Sequence, residues 1–116
     1  MSNTVQQLIE KARNAAGMPQ QMGTPDYANI NALFASAVQR FRDLPVLSSL
    51  GHTISYADLD RMSAAFASWL QNHTDLQPGD RIAIQMPNLI QYPVVFFGAM
   101  RAGLVVVNTN PLYTAR

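Results

Sequence analysis

The chain has 116 residues, the length of one ordinary domain, and 48% of them are hydrophobic and 13% charged. This composition is typical of a globular protein rather than a disordered one. Eight Lys and Arg residues stand against seven Asp and Glu, which gives a formal net charge of +1. Because these charges alternate instead of forming a basic stripe, we expect no nucleic-acid partner. The sequence has no cysteine, which excludes disulfides, thiolate nucleophiles and cysteine metal sites.

No export signal or transmembrane segment is predicted. Glu10, Lys11 and Arg13 interrupt the first helix, where a secretory signal needs a continuous apolar stretch. The most apolar segment, residues 93–107, contains Arg101 and is shorter than the roughly 20 residues that a membrane helix needs. We therefore interpret that segment as core and expect a cytoplasmic protein.

Residues 1–28 are predicted to form a leader helix and a linker. Thr4, with Gln7 three residues later, is typical of a capping box, and Gly17 ends the helical pattern. Residues 18–28 contain two prolines and a glycine without periodicity, which indicates an irregular linker. The apolar residues that define the helix are Val5, Leu8, Ile9 and Ala12.

A second helix is predicted to begin at a cap formed by Asn29 or Asn31 and to end before Pro45. Its apolar residues share one face, which must pack on another part of the protein. These residues are Ile30, Leu33, Phe34, Ala37, Val38 and Phe41.

A hairpin and a third helix follow. Gly51, placed before His52 as the first turn residue, predicts a type II′ turn. Ser55, with Asp58 three residues later, predicts the capping box of a helix that ends near His73. The apolar residues at helical spacing are Leu59, Met62, Phe66, Trp69 and Leu70.

The last part of the chain has the pattern of a parallel βαβ unit. A Pro-Gly pair at residues 78–79 predicts a type II turn before a buried strand of residues 82–86. An apolar helix should follow, with Pro93 near its first turn and Gly103 as its C-terminal cap. Residues 104–107 form a second apolar strand, and the spacing predicts a right-handed parallel crossover.

Two parallel strands and one hairpin make an unfinished sheet, because parallel pairs are stable within larger covered sheets. The chain also ends shortly after Thr114, which stands at a cap position with no helix behind it. We therefore expect an α/β chain that is truncated.

No motif for phosphate binding is found. Gly98 and Gly103 have the spacing of the outer glycines of a phosphate loop, but Leu104 and Val105 follow where Lys and Ser or Thr are required. No G-x-G-x-x-G or G-x-S-x-G motif exists, so dinucleotide binding and serine hydrolysis lack support.

The titratable side chains do not form a recognisable catalytic set. His52 and His73 lie far apart in the sequence, and we interpret them as a turn residue and a helix-end residue. Asp58 and Asp60 point to different sides of a helix, so we expect a cap and a solvated charge.

Four apolar residues could line a lipid pocket, but any buried helix and strand would also contain them. We favour a core role for these residues, which are Met86, Phe96, Phe97 and Met100.

Residues 77–116 resemble the adenylate-forming enzymes, and residues 53–70 are similar to that family's early helix after its first hairpin. Within the superfamily, PNLIQYPVVFFGAMRAG followed by VVVNTNPLYT is most similar to bacterial long-chain fatty acid:CoA ligases. The matching motifs are Gly79-Asp80-Arg81, Pro87-Asn88, Gly98, Ala102-Gly103 and Asn110-Pro111.

The resemblance implies an α/β fold: an incomplete N-terminal subdomain of an adenylate-forming enzyme, with a small hairpin and a parallel βαβ unit. Residues 29–116 would be the truncated amino-terminal part of the AMP-binding domain. The whole enzyme would use ATP and Mg to convert a fatty acid into an acyl-adenylate, and would then transfer the acyl group to CoA.

The resemblance also implies that the family's phosphate loop, nucleotide contacts and catalytic lysine lie downstream of Arg116. We therefore assign no catalytic, cofactor-binding or metal-binding residue, expect none of the cofactors to bind here, and expect residues 1–116 alone to be inactive. Peripheral association with the inner face of the membrane and a homodimer both remain open.

Two alternatives also remain open. One is another adenylate-forming ligase, such as a medium-chain or aryl acid:CoA ligase, a luciferase-like protein or an adenylation domain. The other is a non-catalytic module that associates through exposed sheet edges and apolar faces.

Overall fold

The computed structural model describes residues 2–19 and 21–115, which form four helices and four short strands. Met1 and Gln20 of the predicted leader and linker, and Arg116 at the end of the predicted AMP-binding segment, lie outside the described residues. In chain order the elements are α1 (Ser2–Ala15), α2 (Ile30–Phe41), β1 (Pro45–Ser49), β2 (His52–Ser55), α3 (Tyr56–His73), β3 (Arg81–Ile84), α4 (Gln91–Arg101) and β4 (Val105–Asn108).

Helix α1 begins earlier than its sequence predicts. Thr4 already has helical backbone, whereas a capping residue keeps an extended one, so the predicted Thr4 cap is wrong. The predicted end is confirmed, because Gly17 has a φ of 65° and Met18 N–H donates to the Arg13 carbonyl at 2.9 Å. Among the described residues, α1 contacts no other helix or strand.

Asn29 is the cap of helix α2. Its backbone is extended, with a φ of −162°, and its side-chain oxygen accepts from the N–H of Ala32 at 2.8 Å. On the predicted apolar face, Phe34 and Val38 are buried, whereas Leu33 remains about half exposed. The described chain therefore covers only part of that face.

The hairpin turn lies one residue earlier than predicted. Ser49 pairs with His52, which leaves Leu50 and Gly51 as the turn residues, with φ values of 51° and 78°. Positive φ at both positions defines a type I′ turn rather than the predicted type II′ turn. Leu50 is a non-glycine residue in the left-handed region, which has a local steric cost at its own backbone, and its side chain is 93% exposed.

Helix α3 starts at the predicted capping box. Asp58 N–H donates to Ser55 Oγ at 3.1 Å, and Ser55 N–H donates to Asp58 Oδ2 at 3.2 Å. The helix ends at His73, as predicted, but Trp69 is half exposed and does not belong to the buried face. The buried positions of the helix are Leu59, Ser63, Ala67 and Leu70.

The parallel βαβ unit is confirmed. Strands β3 and β4 pair in parallel, from Arg81 opposite Val105 to Ile84 opposite Asn108, and α4 connects them. Pro93 is the third residue of α4 and therefore lies in its first turn, where its missing N–H costs no internal hydrogen bond.

Gly103 ends helix α4 in the predicted left-handed conformation, with a φ of 79°. Its N–H donates to the Met100 carbonyl at 3.1 Å, and Leu104 N–H donates to the Ala99 carbonyl at 3.0 Å. These two bonds form a Schellman motif, which satisfies carbonyl groups at the helix end.

Strand β3 is shorter and more exposed than predicted. It spans only Arg81–Ile84, and Ile84 is its one buried residue. The β3–β4 pair has α4 on one face, and no described element covers the other. Burial on both faces, which the apolar run 82–86 predicts, is therefore absent in this part of the chain.

Two apolar clusters form the core. The first, between the hairpin and helices α2, α3 and α4, contains Phe34, Val38, Ile54, Leu59 and Ile90. The second lies where α3 and α4 meet the parallel strands and contains Ala67, Leu70, Ala99, Ala102 and Leu104. Gly98 and Ala99 allow α4 to approach α3 closely. This close packing positions α4, and with it the strands β3 and β4 that precede and follow α4 in the chain.

Candidate functional site

The carboxyl ends of β3 and β4 open into a crevice of about 350 Å³. Ligands of open α/β sheets bind outside the carboxyl ends of the strands, so this edge is the candidate site. Its walls are the chain segments that follow each strand, together with the first turn of α4. The lining includes Ile84, Asn88, Tyr92, Asn108, Asn110 and Tyr113.

Hydrogen bonds between neutral groups hold the crevice together. Tyr92 OH donates to Asn108 Oδ1 at 2.7 Å, which joins the first turn of α4 to the end of β4. Leu112 N–H donates to Asn110 Oδ1 at 2.9 Å and shapes the segment after β4. Among the described residues, no Lys, Arg, His, Asp or Glu lines this crevice. Its described lining can therefore bind and orient a ligand through neutral hydrogen-bonding groups, but it offers that ligand no charged side chain.

A larger cavity of about 630 Å³ lies between the hairpin turn and the first turns of α3 and α4. Its titratable lining residues are His52, Asp58 and Arg61. Hydrogen bonds from the Ser55 hydroxyl, first, and the Ser55 N–H lower the pKa of Asp58, and Arg61, 3.4 Å away, adds to the effect. Asp58 is thus held as a charged helix cap and is not a free acid or base.

His73 occupies the helix-end position that the sequence predicts, whereas the prediction of His52 as a turn residue is wrong, because His52 pairs with Ser49 in the hairpin strands. His52 begins β2 beside the hairpin turn, and His73 ends α3 with its Nδ1 atom 3.2 Å from the Trp69 carbonyl. The whole length of α3 separates them, so the structure does not bring them into one site. No group of three or more His, Cys, Asp or Glu residues that could hold a metal ion occurs within residues 2–19 and 21–115.

Asp60 is not the solvated charge that the sequence predicts. Its carboxylate pairs with Arg101 of α4, and Arg101 Nη1 also donates to the Asp60 carbonyl at 3.2 Å. The Arg101 guanidinium lies 5.4 Å from the centre of the Phe34 ring. Arg101 therefore connects α4 to α3 and α2 and has a structural role.

The four residues considered for a lipid pocket separate into different environments. Phe97 stacks on Phe34 with 4.0 Å between ring centroids and packs against the first core cluster, as a core role predicts. Phe96 and Phe97 both line an open apolar groove of about 370 Å³ between α2 and α4. Met86 lines the crevice at the strand ends, and the carbonyl of Met100 accepts from Asn31 Nδ2 at 3.0 Å.

Comparison with models of protein families shows which family this chain belongs to. The family model of the AMP-binding enzymes matches residues 34–116. The chain belongs to this family. It is 45% identical over 100 residues to a long-chain-fatty-acid–CoA ligase of Haemophilus influenzae, which covers 86% of the chain and 18% of that relative. It is 42% identical over 104 residues to the Yersinia pestis protein of the same name, which covers 90% of the chain and 18% of the relative.

More distant relatives have other names. The Arabidopsis thaliana protein named 4-coumarate–CoA ligase-like 3 is 31% identical over 87 residues, which is 75% of the chain and 16% of that protein. The chain thus spans about 18% of the length of the Haemophilus influenzae and Yersinia pestis relatives.

Solved structures confirm the fold class. The N-terminal subdomain of NpsA from Klebsiella oxytoca superimposes with a TM-score of 0.70 and 28% identity, covering 73% of this chain and 22% of that one. VinN superimposes with a TM-score of 0.69 and 32% identity over the same shares. The α/β arrangement, with its small antiparallel hairpin and its parallel strand pair, therefore resembles the N-terminal subdomain of an adenylation enzyme.

Sequence reasoning missed the crevice at the strand ends. The signal was present, because Asn108 and Asn110 come at the end of an apolar strand and Asn88 follows the preceding one. Applying the rule that ligands bind at the carboxyl ends of parallel strands would have placed these residues together.

Proposed function

We propose that the protein to which these 116 residues belong is an AMP-forming long-chain fatty acid:CoA ligase. The observation that carries this proposal is the identity of 42–45% to the Yersinia pestis and Haemophilus influenzae relatives with that name. A Bacillus subtilis relative with the same name is 32% identical, and the 4-coumarate–CoA ligase-like relative is 31% identical. We assign residues 29–116 to the AMP-binding domain and residues 1–28 to a leader helix and linker.

In the proposed reaction the fatty acid carboxylate attacks the α-phosphorus of ATP, which yields the acyl-adenylate and releases pyrophosphate. The CoA thiol then attacks the acyl carbon, so that the thioester forms and AMP leaves. Adenylation makes the second step feasible because AMP is a far better leaving group than the carboxylate oxygen. Mg²⁺ is the expected counterion of ATP, and charge stabilisation on the phosphates is what such a site must supply.

The chemistry of the described residues supports a framework role in this reaction. The polar side chains that line the crevice at the strand ends are all neutral. The single lysine, Lys11, lies in α1, which contacts no other described element. We therefore propose that residues 1–116 alone do not adenylate a carboxylate. Because ATP and CoA are drawn from the cytoplasm, we expect the enzyme to work there.

Fatty-acid-dependent exchange between ATP and pyrophosphate tests the proposal. The complete reading frame, expressed whole, should catalyse exchange with palmitate or oleate and should form the acyl-CoA only when CoA is added. Octanoate, 4-coumarate and an amino acid serve as competing substrates, and the 116-residue chain serves as the matched control.

Each alternative has its own outcome in this assay. Preference for one of the competing acids would keep the adenylate-forming mechanism and reject the long-chain assignment. Absence of exchange with every acid would favour a non-catalytic association module. Exchange catalysed by residues 1–116 alone would contradict the framework role.

A further inference from the structure

Hydrogen bonds within the chain hold the two segments that follow β3 and β4 side by side. Thr109 N–H donates to the Ile84 carbonyl at 2.9 Å, which continues the parallel ladder one residue past β4. The Asn110 carbonyl accepts from Gln85 Nε2 at 3.4 Å and from Tyr113 N–H at 3.1 Å. The walls of the crevice at the strand ends are therefore fixed before a ligand arrives, which lowers the entropy cost of binding one.

Two asparagines in this crevice present the same hydrogen-bonding polarity. Asn108 Oδ1 accepts from Tyr92 OH, and Asn110 Oδ1 accepts from Leu112 N–H. Because a backbone N–H can only donate, the bond from Leu112 fixes the orientation of the Asn110 amide. Neither Nδ2 atom bonds to another described residue. Both side chains therefore offer N–H donors to a ligand in the crevice.

The rest of the lining limits the kind of group that these donors can bind. Among the described residues no charged side chain lines the crevice, and Ile84, Met86 and Pro111 add apolar surface. A carboxylate or phosphate that leaves water needs a charged partner to offset its desolvation. Neutral donors beside apolar surface instead fit an uncharged acceptor, such as an amide carbonyl or a ring nitrogen.

We propose that the crevice binds an uncharged hydrogen-bond acceptor of a substrate, to which Asn108 Nδ2 and Asn110 Nδ2 donate. Tyr92 is a positioning residue, because its hydroxyl holds the Asn108 amide. The choice of substrate rests on the proposed ligase function. Adenine of ATP or CoA supplies ring nitrogens and CoA also supplies amide carbonyls, whereas a fatty acid offers only a carboxylate and an alkyl chain. The sequence analysis, in contrast, expects no cofactor contact in this segment.

Two substitutions at Asn110 test the donors in steady-state kinetics of the complete protein. Asn110→Ser removes the amide N–H groups but keeps an oxygen that can accept from Leu112 N–H. Asn110→Asp keeps that acceptor and reverses the polarity of the other atom. The KM of the substrate in the crevice should rise about fivefold in Asn110→Ser and about tenfold in Asn110→Asp, with kcat within about twofold. Gln39→Glu, on the exposed side of α2, is the charge control and should leave every KM unaltered.

The positioning role of Tyr92 has its own test. Tyr92→Phe removes the hydroxyl that holds Asn108, so it should raise the same KM about threefold and leave kcat unchanged. In an Asn108→Ala background the same substitution should have no further effect on KM, because Tyr92 acts through Asn108. A purely structural role would lower the unfolding midpoint in both backgrounds and leave KM unaltered.

Calorimetry with adenosine and pantetheine, which are uncharged, distinguishes the two sources of the acceptor. Weaker binding of adenosine by Asn110→Ser would identify the ring nitrogens, and weaker binding of pantetheine would identify the amide carbonyls. Equal binding of both probes by the wild type and both Asn110 variants, together with unchanged KM values, would overturn the inference. A change confined to the KM of the fatty acid would overturn it as well, since the acceptor would then be charged.

The occupant could instead be a part of the protein outside the described residues. In that case Asn110→Ser would lower the unfolding midpoint without changing any KM, which would also reject the inference. Failure of the ligase proposal has a different result, because the complete protein would then form no acyl-CoA from any acid. Acyl-CoA formation with equal KM values in the wild type and the Asn110 variants would reject only the role of the crevice.

Discussion

The contact between α3 and α4 depends on the absence of a side chain at Gly98. A Cβ atom built there would lie 2.7 Å from Phe66 Cδ1 and 2.9 Å from the Ser63 carbonyl oxygen. Phe66 could move its ring, but the Ser63 carbonyl belongs to the backbone of α3. The two helices would therefore have to separate to admit a methyl group.

Gly98→Ala should destabilise the complete protein by about 1–2 kcal/mol. Alanine gains about 1 kcal/mol over glycine in a helix interior, which acts in the opposite direction. Overpacking a close contact costs about 1–3 kcal/mol, and the backbone position of one clashing atom favours the upper part of that range. The steric cost should therefore exceed the gain in helix propensity.

Denaturant unfolding of the complete protein measures this difference. Gly23→Ala is the control, because a Cβ atom there would meet no atom within 4 Å, and its effect should stay within about 0.5 kcal/mol. Adding Phe66→Leu to Gly98→Ala should recover only part of the loss, since the Ser63 contact remains. A Gly98→Ala variant as stable as the wild type would show that Gly98 does not set the spacing between α3 and α4.

Two further predictions concern helix ends. Gly103→Ala should lower the free energy of unfolding of the complete protein by about 1 kcal/mol or more. The reasons are that Gly103 has a φ of 79° and that a Cβ atom there would lie 3.1 Å from Pro78 Cβ. If denaturant unfolding showed a stabilised variant, the role of Gly103 as a helix cap would be rejected. Asp58 should make stability depend on pH, because its folded pKa lies below its ordinary value of 3.8. Its contribution is complete above that value and is lost as the pH falls through the folded pKa. Unfolding midpoints between about pH 2 and 5 should therefore change less in Asp58→Asn than in the wild type, and parallel profiles would contradict the assigned role of the Ser55 cap.

Several features that depend on neighbouring residues were predictable from the sequence, although the cap predicted at Thr4 was wrong because α1 begins at Ser2. The capping box of Ser55 and Asp58 needs only groups three residues apart, and the cap at Gly103 follows from one residue's freedom to adopt positive φ. The parallel pairing of β3 and β4 was also predictable, because a helix between two apolar strands has the length that a parallel crossover requires.

Features that depend on register or distant contacts were not predictable in this way. Glycine is compatible with the first or the second residue of a two-residue hairpin turn. Only the pairing of Ser49 with His52 shows that Leu50 is the first turn residue and Gly51 the second. Asp60 and Arg101 are 41 residues apart, and no local pattern joins them. The exposure of β3 depends on what covers its sheet, which the apolar run of that strand does not specify.

The candidate site likewise combines features that the sequence predicts with features that depend on distant contacts. The side chains that line the crevice could be placed at strand ends from the sequence, but the bond between Tyr92 and Asn108 depends on how α4 lies across the parallel pair. No sequence motif marks this crevice. The glycines and lysine of a phosphate loop must have a fixed spacing to bind phosphate, whereas asparagine and tyrosine side chains can line a crevice at many spacings.

Gly79, which precedes β3, and Gly103, which ends α4, also limit how the length of this segment can vary. Gly79 N–H donates to the Gly103 carbonyl at 2.8 Å, and Val105 N–H donates to the Asp80 carbonyl at the same distance. These bonds fix the alignment at the first residue of each strand. One inserted residue after Gly103 would exchange the two faces of β4, so that half-exposed Val105 turned inward and Val106 left the core cluster that it contacts. Exchange of one β-branched residue for another in β4 should therefore be tolerated far more readily than any insertion or deletion between Gly103 and Val106.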